Sequence, residues 1–139
     1  MLDTVKLYCE DMVPAPSEQH GDVRRLVLDA AIAIIELEGA ESLSMREVAR
    51  RAGVSHQAPY HYFGDRGGIF AAISQEGFSA LAHAFQEVQT DGTLDSTSPA
   101  KAGFTAYMRF AREHVGHCRV MFRADISGLT SHPDAHQCA

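Results

Sequence analysis

The chain has 139 residues, 45% hydrophobic and 22% charged, with a formal net charge of −6, which fits an ordinary globular protein and excludes one coated in basic charge. No apolar run approaches the ~18 residues of a membrane span. Cys9, Cys118 and Cys138 are too few and too scattered for a disulfide framework, so a reducing, cytoplasmic location is expected.

Residues 1–20 carry acids, apolar residues and prolines without the basic start and apolar stretch of a signal peptide, and read as a flexible tail. Val23, Leu26, Val27, Ala30, Ile34 and Leu37 recur at steps of three and four, which predicts an amphipathic helix capped by Asp22 and ended by Gly39. Ser44 and Glu47 form an S-x-x-E capping box, with Leu43 and Val48 at the staple positions, so a short helix should start at Met45. Val48, Ala49 and Ala52 form its inner face, and Gly53 stops it. Ser55 is expected to cap the next helix, which runs from His56 to Gly64 with a distorted or 3₁₀-like first turn imposed by Pro59. Two short helices meeting at Gly53-Val54-Ser55 form a helix-turn-helix pattern, whose second helix lies in the DNA major groove in proteins of that type.

Asp65 can cap a fourth helix, carrying Ile69, Ile73, Leu81, Phe85 and Val88, with Gly67 and Gly68 each weakening its first turn by about 1 kcal/mol. Residues 90–100 are rich in turn formers, and Ser98-Pro99 should open a helix that uses Phe104, Tyr107, Met108 and Ala111 and ends near Gly116. Another helix should follow to about Gly128, and His132-Pro133 could open one more. The expected fold is all-α: a tail over 1–20, a three-helix DNA-binding domain over 21–68, and a partial helical effector-binding and dimerisation domain over 69–139.

Between Ser44 and Arg66, four arginines face two acids, a local excess of +2 in an acidic chain. Ser44 can hold phosphate at its helix N-terminus, and Arg46 offers a fork donor. Arg50 and Arg51 are weaker candidates because Glu47 lies at pairing distance on the helix. His56 and Gln57 are the expected base readers, since glutamine suits adenine and histidine can donate to guanine. His61 can reach bases or phosphate, while Phe63 and Pro59 should pack inward.

The run "LDAAIAIIELEGAESLSMREVARRAGVSHQAPYHYFGDRGGIFAAI" resembles the N-terminal DNA-binding domain of the TetR family of bacterial transcription regulators, over residues 22 to about 73. "YMRFAREHVGHCRVMF" resembles a regulatory domain of one TetR subgroup, with Val115 where a proline is expected. The resemblance implies a homodimeric, ligand-responsive regulator reading a palindromic double-stranded operator. It implies phosphate contacts at Ser44, Tyr60, Tyr62 and Arg66, with Ser55 in the same DNA-facing set. Tyr62 stands where the family more often has histidine. The family has several further helices, so a fragment or an unusual dimer interface is expected here. Phe85, Phe104, Tyr107, Met108, Phe110, His114, Met121 and Phe122 are the stock for an apolar effector pocket or, more simply, a core.

Two other readings stay open. His114, His117 and Cys118, with His132, His136 and Cys138, offer nitrogen and sulfur ligands for a metal-responsive regulator, although their spacing fits no zinc motif, and no metal or other cofactor is assigned. A truncated chain could instead pair with longer relatives. An enzyme is not expected: no spacing assembles a phosphate loop, a metalloprotease helix or a nucleophile with its base.

Overall fold

The computed structural model describes residues 16–90 and 98–126, and the expectations that fall on the tail up to residue 15, the 91–97 loop, and the histidines and cysteine beyond residue 126 lie outside them. Among the described residues there are six α-helices, one 3₁₀ turn and no strand. The helices are α1 (Pro16–Glu38), α2 (Met45–Ala52), α3 (Ala58–Phe63), α4 (Arg66–Thr90), α5 (Pro99–Glu113) and α6 (Val115–Met121), with the 3₁₀ turn at Ala40–Ser42 between α1 and α2.

One apolar cluster holds these elements together. Val27, Leu28, Ala31, Ile34 and Ile35 of α1 meet Leu43, Met45 and Val48 around α2, Phe63 of α3, Ile69, Phe70 and Ile73 of α4, and Val120 of α6. The inner stripe of α1 is rotated from the expected one. Leu26 is 49% exposed and Leu37 is 78% exposed, because α1 is apolar over a wide arc and spacing alone does not choose the buried part of it. The start of α1 at Pro16 also precedes the expected cap at Asp22 by nearly two turns.

α2 follows its local chemistry. Ser44 Oγ accepts the Glu47 N–H at 3.2 Å, and Leu43 and Val48 are both buried as a staple requires. Gly53 closes the helix at φ 67°, a left-handed conformation that a side chain would strain. The Val54 N–H then returns to the Ala49 carbonyl at 3.1 Å.

α3 departs from expectation at its start. Its N-cap is Gln57, with no side-chain cap bond, and the helix proper begins at Ala58 rather than His56. The Ser55 carbonyl accepts the Ala58 N–H at 3.1 Å, a tight turn of 3₁₀ spacing. This shift moves Pro59 to the second helical position, where a missing N–H costs no intrahelical bond. Ser55 therefore caps nothing with its side chain.

Asp65 does cap α4, with Oδ1 accepting the Gly68 N–H at 2.8 Å. Gly68 has a purpose: a Cβ there would stand 1.8 Å from the Phe63 carbonyl oxygen. The domain boundary expected after residue 68 thus falls within the first turn of α4.

α5 buries Ala106 and Phe110, while Phe104, Tyr107 and Met108 of the expected inner face are exposed. The helix stops at Glu113, and His114 (φ −124°, ψ 49°) separates it from α6, which ends at Met121 rather than near Gly128.

Two arginines finish the C-terminal end of α1. Arg119 Nη1 donates to the carbonyls of Ile35 and Glu36 at 2.9 and 3.1 Å. Arg66 Nη2 donates to Ala40 and Glu41 at 2.8 and 3.2 Å. Carbonyls left over at a helix end and in the turn after it are thereby satisfied.

Candidate nucleic-acid interface

α3 is six residues long and amphipathic in a short space. Pro59 and Phe63 are buried, Tyr62 is half-buried against the core, and Tyr60 and His61 are exposed. His61 meets the Tyr62 ring edge-on at 4.9 Å. His56 and Gln57 are exposed in the turn just ahead of α3, beside exposed Ser55. The four adjacent rings are thus sorted by face, with two outside, one inside and one between.

α2 packs against α3, and its Ala49 is fully buried. Its outer face carries the arginines. The Glu47 carboxylate is taken by Arg50 at 2.7 Å and by Arg51 at 2.7 Å, and does not complete the expected reciprocal box. Hydrogen bonds from Arg50, then from Arg51, bring the Glu47 carboxyl from an ordinary 4.5 down to about 2. Arg51 also pairs with Glu38 of α1. Two of the four arginines in the locally basic stretch are therefore neutralised within the protein. Arg46 is exposed and holds no ion pair among the described residues.

Arg66, expected as a phosphate contact, has its guanidinium on the carbonyls of residues 40 and 41 and over the Phe70 ring, 5.1 Å from its centroid. A residue that the sequence did not flag packs on α3 from α1: Arg24 is exposed and lies over the Phe63 ring at 5.1 Å. Nothing in the spacing of residues 24 and 63 announces that contact.

This arrangement offers a short helix held by its inner face, polar and aromatic groups on its outer face, and unpaired cations to either side. Comparison with known proteins agrees with it. The family model described as "Bacterial regulatory proteins, tetR family" matches residues 27–73, from the core of α1 through the start of α4. Curated relatives extend the match beyond that segment: the HTH-type transcriptional regulator BetI of Rhizobium meliloti (strain 1021) is 32% identical over 103 residues, covering 73% of this chain and 43% of the relative.

Residues 27–73 carry a TetR-type DNA-binding domain.

BetI of Escherichia coli O17:K52:H18 (strain UMN026 / ExPEC) is 30% identical over 102 residues, covering 63% of this chain and 52% of the relative. The chain therefore spans about half the length of the curated relatives it matches. In this TetR-type domain, α2, the Gly53 turn and α3 are the helix-turn-helix, and α1 and the start of α4 are its supports.

Of the residues expected to line an effector pocket, Phe110 and His114 border one recess among the described residues. Phe104, Tyr107, Met108 and Phe122 are exposed, Phe85 and His114 are half-buried, and Met121 is buried. A recess of about 350 Å³ does lie between α4 and α5, lined by Ala80, His83, Ala84, Glu87, Arg109, Phe110, Glu113 and His114. Among the described residues no three His, Cys, Asp or Glu side chains gather as metal ligands. His117 instead places Nε2 2.8 Å from Glu76 Oε1, and burial pushes the Cys118 thiol up. No helix among the described residues is long and apolar enough to cross a membrane.

Proposed function

We propose that this chain is a TetR-family, ligand-responsive repressor that binds a palindromic operator as a homodimer in the cytoplasm. The observation that carries the reading is the two-faced α3 and the turn ahead of it: Pro59 and Phe63 anchor the helix while Tyr60 and His61 on it, and His56 and Gln57 in the turn, remain outside. His56 and Gln57 read base edges, as their donor and acceptor sets allow. Ser44, Arg46, Ser55, Tyr60, Tyr62 and Arg66 set the register on phosphate, with Arg66 acting mainly by holding the 40–41 turn. Exposed Phe104, Tyr107, Met108 and Phe122 supply apolar surface for pairing of subunits. The recess between α4 and α5 supplies the effector site, with the apolar residues expected there contributing only Phe110 and His114.

The test is selection of bound duplexes from a random pool, followed by affinity measurements on the winner. A two-fold-symmetric consensus bound with a steep salt dependence supports the reading. His56→Ala and Gln57→Ala should relax the preference, by about 1–3 kcal/mol at each base pair that the side chain reads. Arg46→Ala should weaken all sequences alike and lower the salt slope by about one per reading head. Enrichment of no sequence, with equal binding to all duplexes, would overturn it.

A further inference from the structure

Arg24 and Arg25 are neighbours on α1 and serve different elements. Arg24 lies over Phe63 at the end of α3. Arg25 donates to the Glu76 carboxylate of α4 at 2.5 Å and pairs with Asp29 one turn on. Glu76 is shared, because His117 Nε2 of α6 lies 2.8 Å from its other oxygen. Burial would raise the Glu76 carboxyl, but hydrogen bonds from Arg25 and His117 outweigh it and hold the group below its ordinary value. His117 is 7% exposed, and its ring meets His114 edge-on at 5.3 Å. His114 stacks on Phe110 and lines the α4–α5 recess. The recess and the reading helix are therefore joined by an unbroken series of contacts.

Contact alone does not make a coupling; an element with two settings does. Two features supply one here. His114 is the break between α5 and α6, so a contact made to its ring from the recess acts on a joint rather than on a continuous helix. His117 Nδ1 is buried and makes no hydrogen bond to the described residues, so only Nε2 ties the ring, and that tie is to Glu76. Glu76 then divides its carboxylate differently between α6 and α1.

We propose that His117 is the positioning residue through which an occupant of the α4–α5 recess changes the setting of the reading helix α3. This rests on the effector-responsive reading above and assigns its route. The occupant draws on His114, His117 moves with α6, Glu76 shifts its hold on Arg25, and α1 carries the change to Phe63 through Arg24.

The test fills the recess from within. Ala84 is half-buried in its wall, and Ala84→Phe in the full chain stands in for an occupant. It is combined with His117→Leu, with His117→Gln, which keeps a donor for Glu76, and with Arg25→Leu on the solvent side of α1. Affinity for the selected duplex and amide exchange over residues 58–63 are read in each, with thermal midpoints as the folding control. Ala84→Phe should change affinity by about fivefold or more in the otherwise unaltered chain. It should do so in His117→Gln, and by less than about twofold in His117→Leu and Arg25→Leu. Should His117→Leu not fold, Arg25→Leu decides alone. The same factor in every background, or no effect in the unaltered chain, overturns the proposal. If the chain selects no duplex, the DNA-reading function fails while the exchange data still decide the route: a change over 58–63 that survives His117→Leu or Arg25→Leu refutes it.

Discussion

Gly68→Ala separates local propensity from tertiary geometry by sign. Alanine is favoured over glycine inside a helix by about 1 kcal/mol, so propensity alone makes the substitution stabilising. The structure makes it destabilising. The new Cβ would stand 1.8 Å from the Phe63 carbonyl oxygen and 2.9 Å from its carbon. The obstructing atoms are backbone at the end of α3, so no side chain can swing aside. Relief requires α3 and α4 to separate by more than about an ångström, and overpacking of that kind costs about 1–3 kcal/mol or more. Against the propensity gain, the expected net loss is about 1 kcal/mol, a fall of roughly 3 °C in thermal midpoint for a chain of this size. Gly21→Ala is the matched control, since Gly21 lies in α1 with nothing within 4 Å of its added Cβ. It should gain up to about 1 kcal/mol. Urea denaturation of both variants checks the pair. Stabilisation of Gly68→Ala comparable to that of Gly21→Ala would refute the α3–α4 contact as described.

Ser44→Ala removes the oxygen that accepts the Glu47 N–H and should cost about 1 kcal/mol in urea denaturation, with the circular dichroism of the remaining helices retained. Val48→Ala empties a fully buried site between α1 and α2 and should cost about 1–3 kcal/mol by the same assay, whereas Leu37→Ala, at an exposed site, should stay within about 0.5 kcal/mol. The Glu47 carboxyl is held at about 2 in the folded chain against an ordinary 4.5. A depressed carboxyl contributes stability above the unfolded value and loses it as pH falls through the folded one. The difference in stability between the unaltered chain and Glu47→Gln should therefore be full above pH 4.5 and shrink towards pH 2; a difference that is constant across that range would count against the arginine clamp.

What can be read from the sequence is what local chemistry decides. The limits of α2 follow from Ser44, Glu47 and Gly53, all within a few residues of the atoms they cap, and the structure places them as expected. The joint burial of Pro59 and Phe63, four residues apart, follows from the helical period. The start of α3 differs from expectation because a serine that can cap competes with a proline that restricts the next turn, and the proline prevails. The inner face of α5 differs for another reason. Phe104, Tyr107 and Met108 form one apolar stripe and Ala106 and Phe110 another, and only the neighbouring helix chooses between them. Arg24 on Phe63 and Arg25 on Glu76 join residues 39 and 51 positions apart, and no local pattern carries such pairs. The hold of Arg66 on residues 40 and 41 is not legible in the sequence because the acceptors are backbone carbonyls that every sequence has.

The brevity of α3 has a consequence for how such a protein can change over generations. Six residues are too few to hold a helix by themselves, so its shape is lent by Pro59, Tyr62 and Phe63 against the rest of the core. His56, Gln57, Tyr60 and His61 contribute little to that shape. Under the DNA-reading role proposed for them, substitution at those four positions redirects the chain to a different DNA site with almost no loss of stability. Under that proposal, descendants of one such chain come to govern different genes while their folds stay nearly superimposable, because the proposed recognition residues lie outside the inner face that anchors α3.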